Sequence, residues 1–493
     1  MMLKLKSLFQ PKSAFLYLLA VFFVVHGFTT NYPSVPISDA IKLIIEYLLI
    51  SLILAIPFLF IFKSSQNAVL FVFFLLLVQF FFGPLHDLLK NIFPHSFFSK
   101  YSFILPLFLI ITSILFIFLL KSNKQFKRGV RYFTLTLILL IIVEGFLLFV
   151  KIFNHSEARI TGDNFKPCND CKTPNIYLII ADEYAGQEEL KTIFSFNNST
   201  FENELRKRNF YVVKKAMSNY NYTPYSMASI FSMNYLKGIT DKSNDIDNRN
   251  ISYQIINQND LTNSLKNLGY NFVNLSLFDF AGKASMINDN EFYSTRAKLI
   301  TSQTLTGRIK KDLWYNTITR FHFTWVEKSY QDQLIRNLEK QYNATLTAAE
   351  EKTQQPKFVY THFIMPHYPY LFDKNGRKIA FKESMQDGRK DLYLEYLQYC
   401  NKQCLTLIDS ILKKDADKPI IILMSDHGFT KYGPSVDPSY NFKNIINIYF
   451  PDGNYTGFPN SLSNVNLFRV VLNTKFKQQL PLLKDSTIFL KEY

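Results

Sequence analysis

The chain has 493 residues, 48% of them hydrophobic and 19% charged, with 55 Lys and Arg against 39 Asp and Glu for a net charge of +16. Such a length exceeds one ordinary hydrophobic core and predicts two or three domains. No recognition motif accompanies the positive charge, so nucleic acid is excluded as its partner, and an anionic lipid surface suits it better.

Apolar residues crowd the first third. Stretches at 13–30, 40–62, 68–85, 102–120 and 132–150 approach the roughly 20 apolar residues that cross a bilayer. The first reads as a span rather than a cleaved signal, because no small-residue cleavage site follows it and four further spans do. Basic residues precede the first span (Lys4, Lys6, Lys12), separate the second from the third (Lys63), and fill the loop before the fifth (Lys121, Lys124, Lys127, Arg128, Arg131). With five crossings these positions share one face, which the positive-inside bias makes cytoplasmic. Everything after residue 151 is then expected outside. Segment 86–100, of mixed polarity, is expected along the interface. Two acids, Glu46 and Glu144, fall in the outward halves of their spans. Ionisable groups at that depth are functional candidates, and these are expected to attract an ammonium head group, with snorkelling to the interface as the plainer reading for Glu46.

Residues 152–174 lack periodicity and carry Pro, Gly, Asn and Asp, which predicts a linker between a span domain (1–151) and an exported domain (175–493). The four cysteines, Cys168, Cys171, Cys400 and Cys404, all follow the spans. They are read as structural, their pairing open, in an oxidising compartment.

Within 175–493, near-continuous apolar runs alternate with helical patterns. "NIYLIIADE", "FYVVKKA", "YNFVNLS", "KFVYTHFIM" and "PIIILMSD" read as strands; 199–210 and 392–414 read as helices. This alternation predicts a parallel sheet covered on both faces, with functional groups beyond the carboxyl ends of its strands.

Four stretches place reactive residues there. Asp182 and Glu183 end "LIIADE"; Thr223 precedes Pro224 in "NYNYTPYSMASIFSM"; His362 and His367 stand in "THFIMPH"; Asp426 and His427 close "MSDHG". Asp182, Asp426 and His427 offer the oxygen and nitrogen donors that a zinc-like cation accepts. Thr223 is the candidate nucleophile, a hydroxyl that needs a metal or base to lower its pKa. With Pro at the first helical position it is expected at the N-cap, where helix-end amides favour a phosphate.

These residues resemble the alkaline phosphatase/sulfatase superfamily across essentially all of 175–493. The position matching the C/S-x-P-S-R nucleophile of true sulfatases is Tyr222, and Met227 falls near where their Arg belongs. "TPYSMASIFS" is instead similar to the Thr nucleophile segment of membrane-bound phosphoethanolamine transferases, and "HFIMPH" keeps their His-to-His interval. Lipoteichoic acid synthases share a five-span anchor and a Thr nucleophile. The nearest likeness is to bacterial membrane proteins of the sulfatase-like hydrolase/transferase type. The resemblance implies an α/β class: a five-helix N-terminal transmembrane domain followed by an alkaline-phosphatase-like α/β domain with a mainly parallel central sheet. It implies Asp182, Thr223, Asp426 and His427 as ligands of a divalent metal, zinc or else manganese, with Thr223 also the nucleophile. His362 and His367 fall in the stretch matching the transferases' substrate region, with His367 implied in binding substrate or a second metal. Glu46 and Glu144 join them as substrate-binding candidates on the ground of their depth in the spans, and His367 is expected to protonate the leaving alcohol. The first ligand is Asp here where the ethanolamine enzymes carry Glu, and no His downstream of "SDHGFTKYG" matches their second substrate-site histidine. The implied activity moves a phospho-head group from a membrane lipid donor to a cell-envelope glycolipid or glycan, at the bacterial cytoplasmic membrane with the catalytic domain outside. A phosphodiesterase or sulfatase-like hydrolase with the same site, and a non-enzymatic membrane protein, are the rival readings.

Overall fold

The computed structural model describes residues 5–32, 35–94, 96–122, 126–154, 171–239, 245–287, 297–313, 324–433 and 435–490. The chain forms two compact units: Met1–Ala158 with Phe292–Phe321, and Arg159–Glu291 with His322–Tyr493. Most of the expected linker, 155–170, including Cys168, lies outside the described residues.

In the first unit five helices are long and apolar enough to cross a membrane: α1 (Ala14–Thr30), α2 (Ile37–Ile61), α3 (Ser65–Ile92), α4 (Tyr101–Lys121) and α5 (Lys127–Asn154). Each overlaps one expected span, with ends differing by a few residues. The stretch 86–92, expected in an interfacial loop, forms about the last two turns of α3. The buried cluster of this unit is built mainly from α1, α2 and α3. In contrast, α4 and α5 leave Leu109, Ile114, Leu139, Ile142 and Phe146 largely exposed, an apolar surface that water does not tolerate and hydrocarbon does. Helix α3 departs from helical geometry at Phe81, three residues before Pro84. Proline's ring crowds the preceding turn and removes a donor, which kinks the helix.

The second unit has a six-stranded sheet in the order β2-β7-β6-β1-β5-β4. In chain order the elements are β1 (Ile176–Ala181), α6 (Gln187–Phe194), α7 (Ser199–Lys207), β2 (Tyr211–Val212), β3 (Lys215–Met217), α8 (Thr223–Ser232), α9 (Asp245–Asn257), α10 (Asp260–Asn267), β4 (Asn271–Leu275), α11 (Thr324–Glu350), β5 (Lys357–Phe363), α12 (Lys390–Lys414), β6 (Ile420–Met424), β7 (Ile446–Tyr449), β8 (Ser461–Ser463) and α13 (Asn464–Phe476). β1 pairs parallel with β5 and with β6, and β4 parallel with β5; only the β7 pairings with β6 and β2 are antiparallel. The sheet is therefore mainly parallel. Every residue of β1, β5 and β6 is buried, as the unbroken apolar runs of β1 and β6 require.

Strand parity divides the core. Ile176, Leu178 and Ile180 face one cluster with residues of α8, α10 and α13, while Tyr177, Ile179 and Ala181 face another with α6, α7, α11 and α12. Each fully buried aliphatic side chain of this kind contributes about 1.5–3 kcal/mol. The run "FYVVKKA" is not one strand. β2 joins the main sheet, whereas β3 pairs with β8 in a separate two-stranded sheet.

Candidate active site

The parallel register brings three strand ends together. Ala181 lies opposite Phe363 and Ile180 opposite both His362 and Met424, so Asp182, His362 and Asp426 emerge at one edge. All three are buried, and a donor atom from each lies within 4.8 Å of the others. His362 Nε2 is 3.2 Å from Asp182 Oδ2, and its Nδ1 is 2.8 Å from the Tyr360 hydroxyl. Against an ionised Asp182, Nε2 carries the proton and Tyr360 donates to Nδ1.

The loop after β6 is held rigidly. Asp426 Oδ1 accepts from the Glu183 amide at 3.1 Å, and the Ser425 hydroxyl accepts from the Tyr184 amide at 2.9 Å. The Asp426 carbonyl accepts from Ser226 Oγ of α8 at 2.6 Å and from Asn464 Nδ2 of α13 at 2.8 Å. Gly428 follows because nothing larger fits. A Cβ there stands 2.6 Å from both Glu189 Oε2 and the Lys443 carbonyl.

His427 Nδ1 is 2.7 Å from the Gly428 carbonyl, which only accepts, so Nδ1 carries a proton. The Nε2 of His427 faces Asp426 Oδ2 at 3.3 Å. Thr223 Oγ1 is 3.2 Å from that Nε2, within reach of a nucleophile–base pair. Thr223 opens α8 with Tyr222 as its cap, one position from the expected N-cap, so its hydroxyl still stands at the helix's first turn.

Glu183 follows Asp182 with φ at 58°, a left-handed backbone that costs free energy and clusters at functional sites. Its Oε1 accepts from the amide and hydroxyl of Thr430, at 2.9 and 2.7 Å. Its Oε2 is 3.7 Å from His367 Nε2. Burial alone lowers the His367 pKa, but the Glu183 and Asp182 carboxylates and the Tyr368 carbonyl outweigh it and raise the group to about 9. Burial likewise works to raise Asp182, yet His367, His362 and His427 hold it at about 2. His427 is raised despite its burial by Asp426, Asp182 and Glu183.

A divalent cation fits this donor set. Asp182 Oδ1, Glu183 Oε2 and Asp426 Oδ2 are buried with no hydrogen-bond partner among the described residues. Unsatisfied carboxylate oxygens away from water are costly unless a cation meets them, and two carboxylates with imidazole nitrogen are what zinc-like ions accept.

Of the expected residues, Asp182, Thr223, Asp426 and His427 come together. His362, expected at the substrate, is fully buried inside the carboxylate group. His367 is partly open at the rim, its side chain 27% exposed. In the other unit Glu144 is occupied by His26 Nδ1 at 2.7 Å, and Glu46 lines a cavity. The sequence reading gave no role to Ser226 or Asn464. Ser226 lies three residues after Thr223, the spacing at which side chains share a helix face. Among the cysteines, Cys171 is disulfide-bonded, while Cys400 and Cys404 are buried thiols with sulfurs 3.8 Å apart on α12.

The family model described as "Sulfatase" matches residues 174–478. No curated protein matches the sequence. Among solved structures, the C-terminal periplasmic domain of the phosphoethanolamine transferase EptC from Campylobacter jejuni is similar at 14% identity and a TM-score of 0.37, over 62% of this chain and 91% of that one. The corresponding domain of EcEptC from Escherichia coli is similar at 13% identity and a TM-score of 0.38, over 66% and 94%. A phosphonate monoester hydrolase of Agrobacterium radiobacter is similar at 14% identity and a TM-score of 0.39, over 62% and 74%.

Proposed function

The chain belongs to the sulfatase family, and we propose that it is a membrane-anchored, metal-dependent transferase. In this reading it moves a phospho-head group, phosphoethanolamine-like or phosphoglycerol-like, from a lipid donor to a cell-envelope acceptor through a Thr223-linked intermediate. Five apolar helices anchor the catalyst where such a donor resides, with the second unit on the extracytoplasmic side. The observation that carries the reading is the 3.2 Å approach of Thr223 Oγ1 to His427 Nε2, beside the buried Asp182, His362 and Asp426 group.

Asp182, Asp426 and His427 would hold the cation, with His362 orienting Asp182 through its Nε2 proton. When bound, zinc or manganese supplies Lewis acidity that stabilises negative charge on phosphoryl oxygens. Thr223 Oγ gives its proton to water and attacks phosphorus, and the bond from phosphorus to the diacylglycerol oxygen breaks. His367, protonated at neutral pH by its carboxylate neighbours, gives its Nε2 proton to the departing alkoxide. The amides of the first turn of α8 attract the phosphate. An acceptor hydroxyl then attacks phosphorus, passing its proton to the now neutral His367 Nε2, and the bond from phosphorus to Thr223 Oγ breaks as that oxygen takes a proton back from water.

Incubating the full chain in detergent with head-group-labelled phospholipid and envelope glycolipid tests this reading. Label on the glycolipid supports it. Free labelled head group alone assigns a hydrolase with water as acceptor, and unchanged turnover in Thr223→Ala overturns both.

A further inference from the structure

In the first unit a cavity of about 600 Å³ lies between α2, α3 and residues 301–310. Its wall along the helices is apolar, from Ile50, Leu54 and Leu75, and its charged groups are Glu46 and Lys310. Glu46 follows the start of α2 by nine residues, roughly 13 Å along the axis. A carboxylate so far inside an apolar span calls for a partner. Yet neither Glu46 nor Lys310 forms an ion pair among the described residues.

The far wall is built, not incidental. The kink in α3 frees the Gly83 amide, which donates to the Gln303 carbonyl at 2.8 Å. A Cβ on Gly83 stands 2.5 Å from that carbonyl, so glycine is required for the approach. Gln79 Nε2 donates to Thr306 Oγ1 at 2.6 Å, Arg308 pairs with Asp87, and Tyr101 donates to Asp312. Segment 297–313 is thus fastened to α3 and α4 by four polar contacts, and it carries Lys310 to the cavity.

We infer that this cavity is a binding site for a zwitterionic phospholipid, its ammonium met by Glu46, its phosphate by Lys310, and an acyl chain by the apolar wall. Opposite charges that do not neutralise each other, above a hydrocarbon-like surface, complement a molecule with one cation, one anion and a tail. The inference deepens the lipid-donor reading and rests on it for its meaning in catalysis, but binding needs no catalysis.

Native mass spectrometry of the full chain in detergent, titrated with phosphatidylethanolamine and phosphatidylglycerol, tests it. We expect phosphatidylethanolamine to bind at least tenfold more tightly. Glu46→Gln removes that preference, Lys310→Met weakens both lipids, and Ile50→Trp, which fills the cavity, weakens both. Equal affinity for the two lipids overturns the inference, as does binding indifferent to all three cavity variants. Lipid transfer without such binding sinks this inference alone; binding without transfer sinks the catalytic reading alone.

Discussion

Ser226 and Asn464 both serve one backbone carbonyl, that of Asp426, and their joint removal is predicted to cost more than the sum of the parts. Ser226→Ala deletes a buried 2.6 Å bond but leaves the carbonyl its bond from Asn464, so about 1 kcal/mol is lost. Asn464→Ala deletes the other donor and the acceptor that the Asn444 amide uses at 3.0 Å, for about 2 kcal/mol. Each single variant still satisfies Asp426. Only the double variant leaves its carbonyl buried without a donor, which adds about 1–2 kcal/mol of desolvation. Denaturant unfolding of the full chain in detergent, followed by circular dichroism with metal removed by chelator, measures the cycle. Costs additive within about 0.5 kcal/mol refute the shared-carbonyl reasoning.

Gly428→Ala forces a methyl group to 2.6 Å from Glu189 and Lys443 oxygens; a cost of about 1–3 kcal/mol and reduced metal content by elemental analysis are expected. Thr223→Ala is predicted to abolish turnover while retaining metal, whereas Thr223→Ser, which keeps the hydroxyl, retains part of it; metal content and product formation report both. His367 is raised from 6.5 to about 9 in the folded chain. In metal-stripped protein its contribution is fully present below pH 6.5 and is lost as pH rises through about 9. That contribution is on the order of 3 kcal/mol, so the stability gap between wild type and His367→Gln should close between pH 6.5 and 10.

What the sequence disclosed follows from which forces leave a local pattern. The spans are overwhelmingly apolar and the β1 and β6 runs apolar without interruption, and burial on all sides writes itself directly into composition. The strand-end chemistry of Asp182, Asp426 and His427 followed from parallel topology. α11 left no such trace, because its buried face carries Gln331, Gln341 and Thr345. Gln341 Nε2 donates to the carbonyls of Leu275 and His362, both at 2.8 Å, and Thr345 meets the Thr361 hydroxyl at 2.8 Å. A helix docked by hydrogen bonds hides its apolar period. His362 presents the same difficulty: whether a strand histidine faces substrate or carboxylates depends on register with β1, a non-local quantity. Likewise, the grouping of Phe292–Phe321 with the membrane helices depends on tertiary contacts at the α3 kink that no local pattern encodes.

The proposed chemistry turns on one oxygen, Thr223 Oγ1, made reactive beside a buried anionic cluster. Intact-mass analysis of the purified full chain, mixed with phospholipid donor and no acceptor, tests it most directly. A mass increase equal to one phospho-head group, mapped by peptide fragmentation to Thr223 and absent after chelation, is the predicted result. An unmodified Thr223 in protein that still releases diacylglycerol contradicts it.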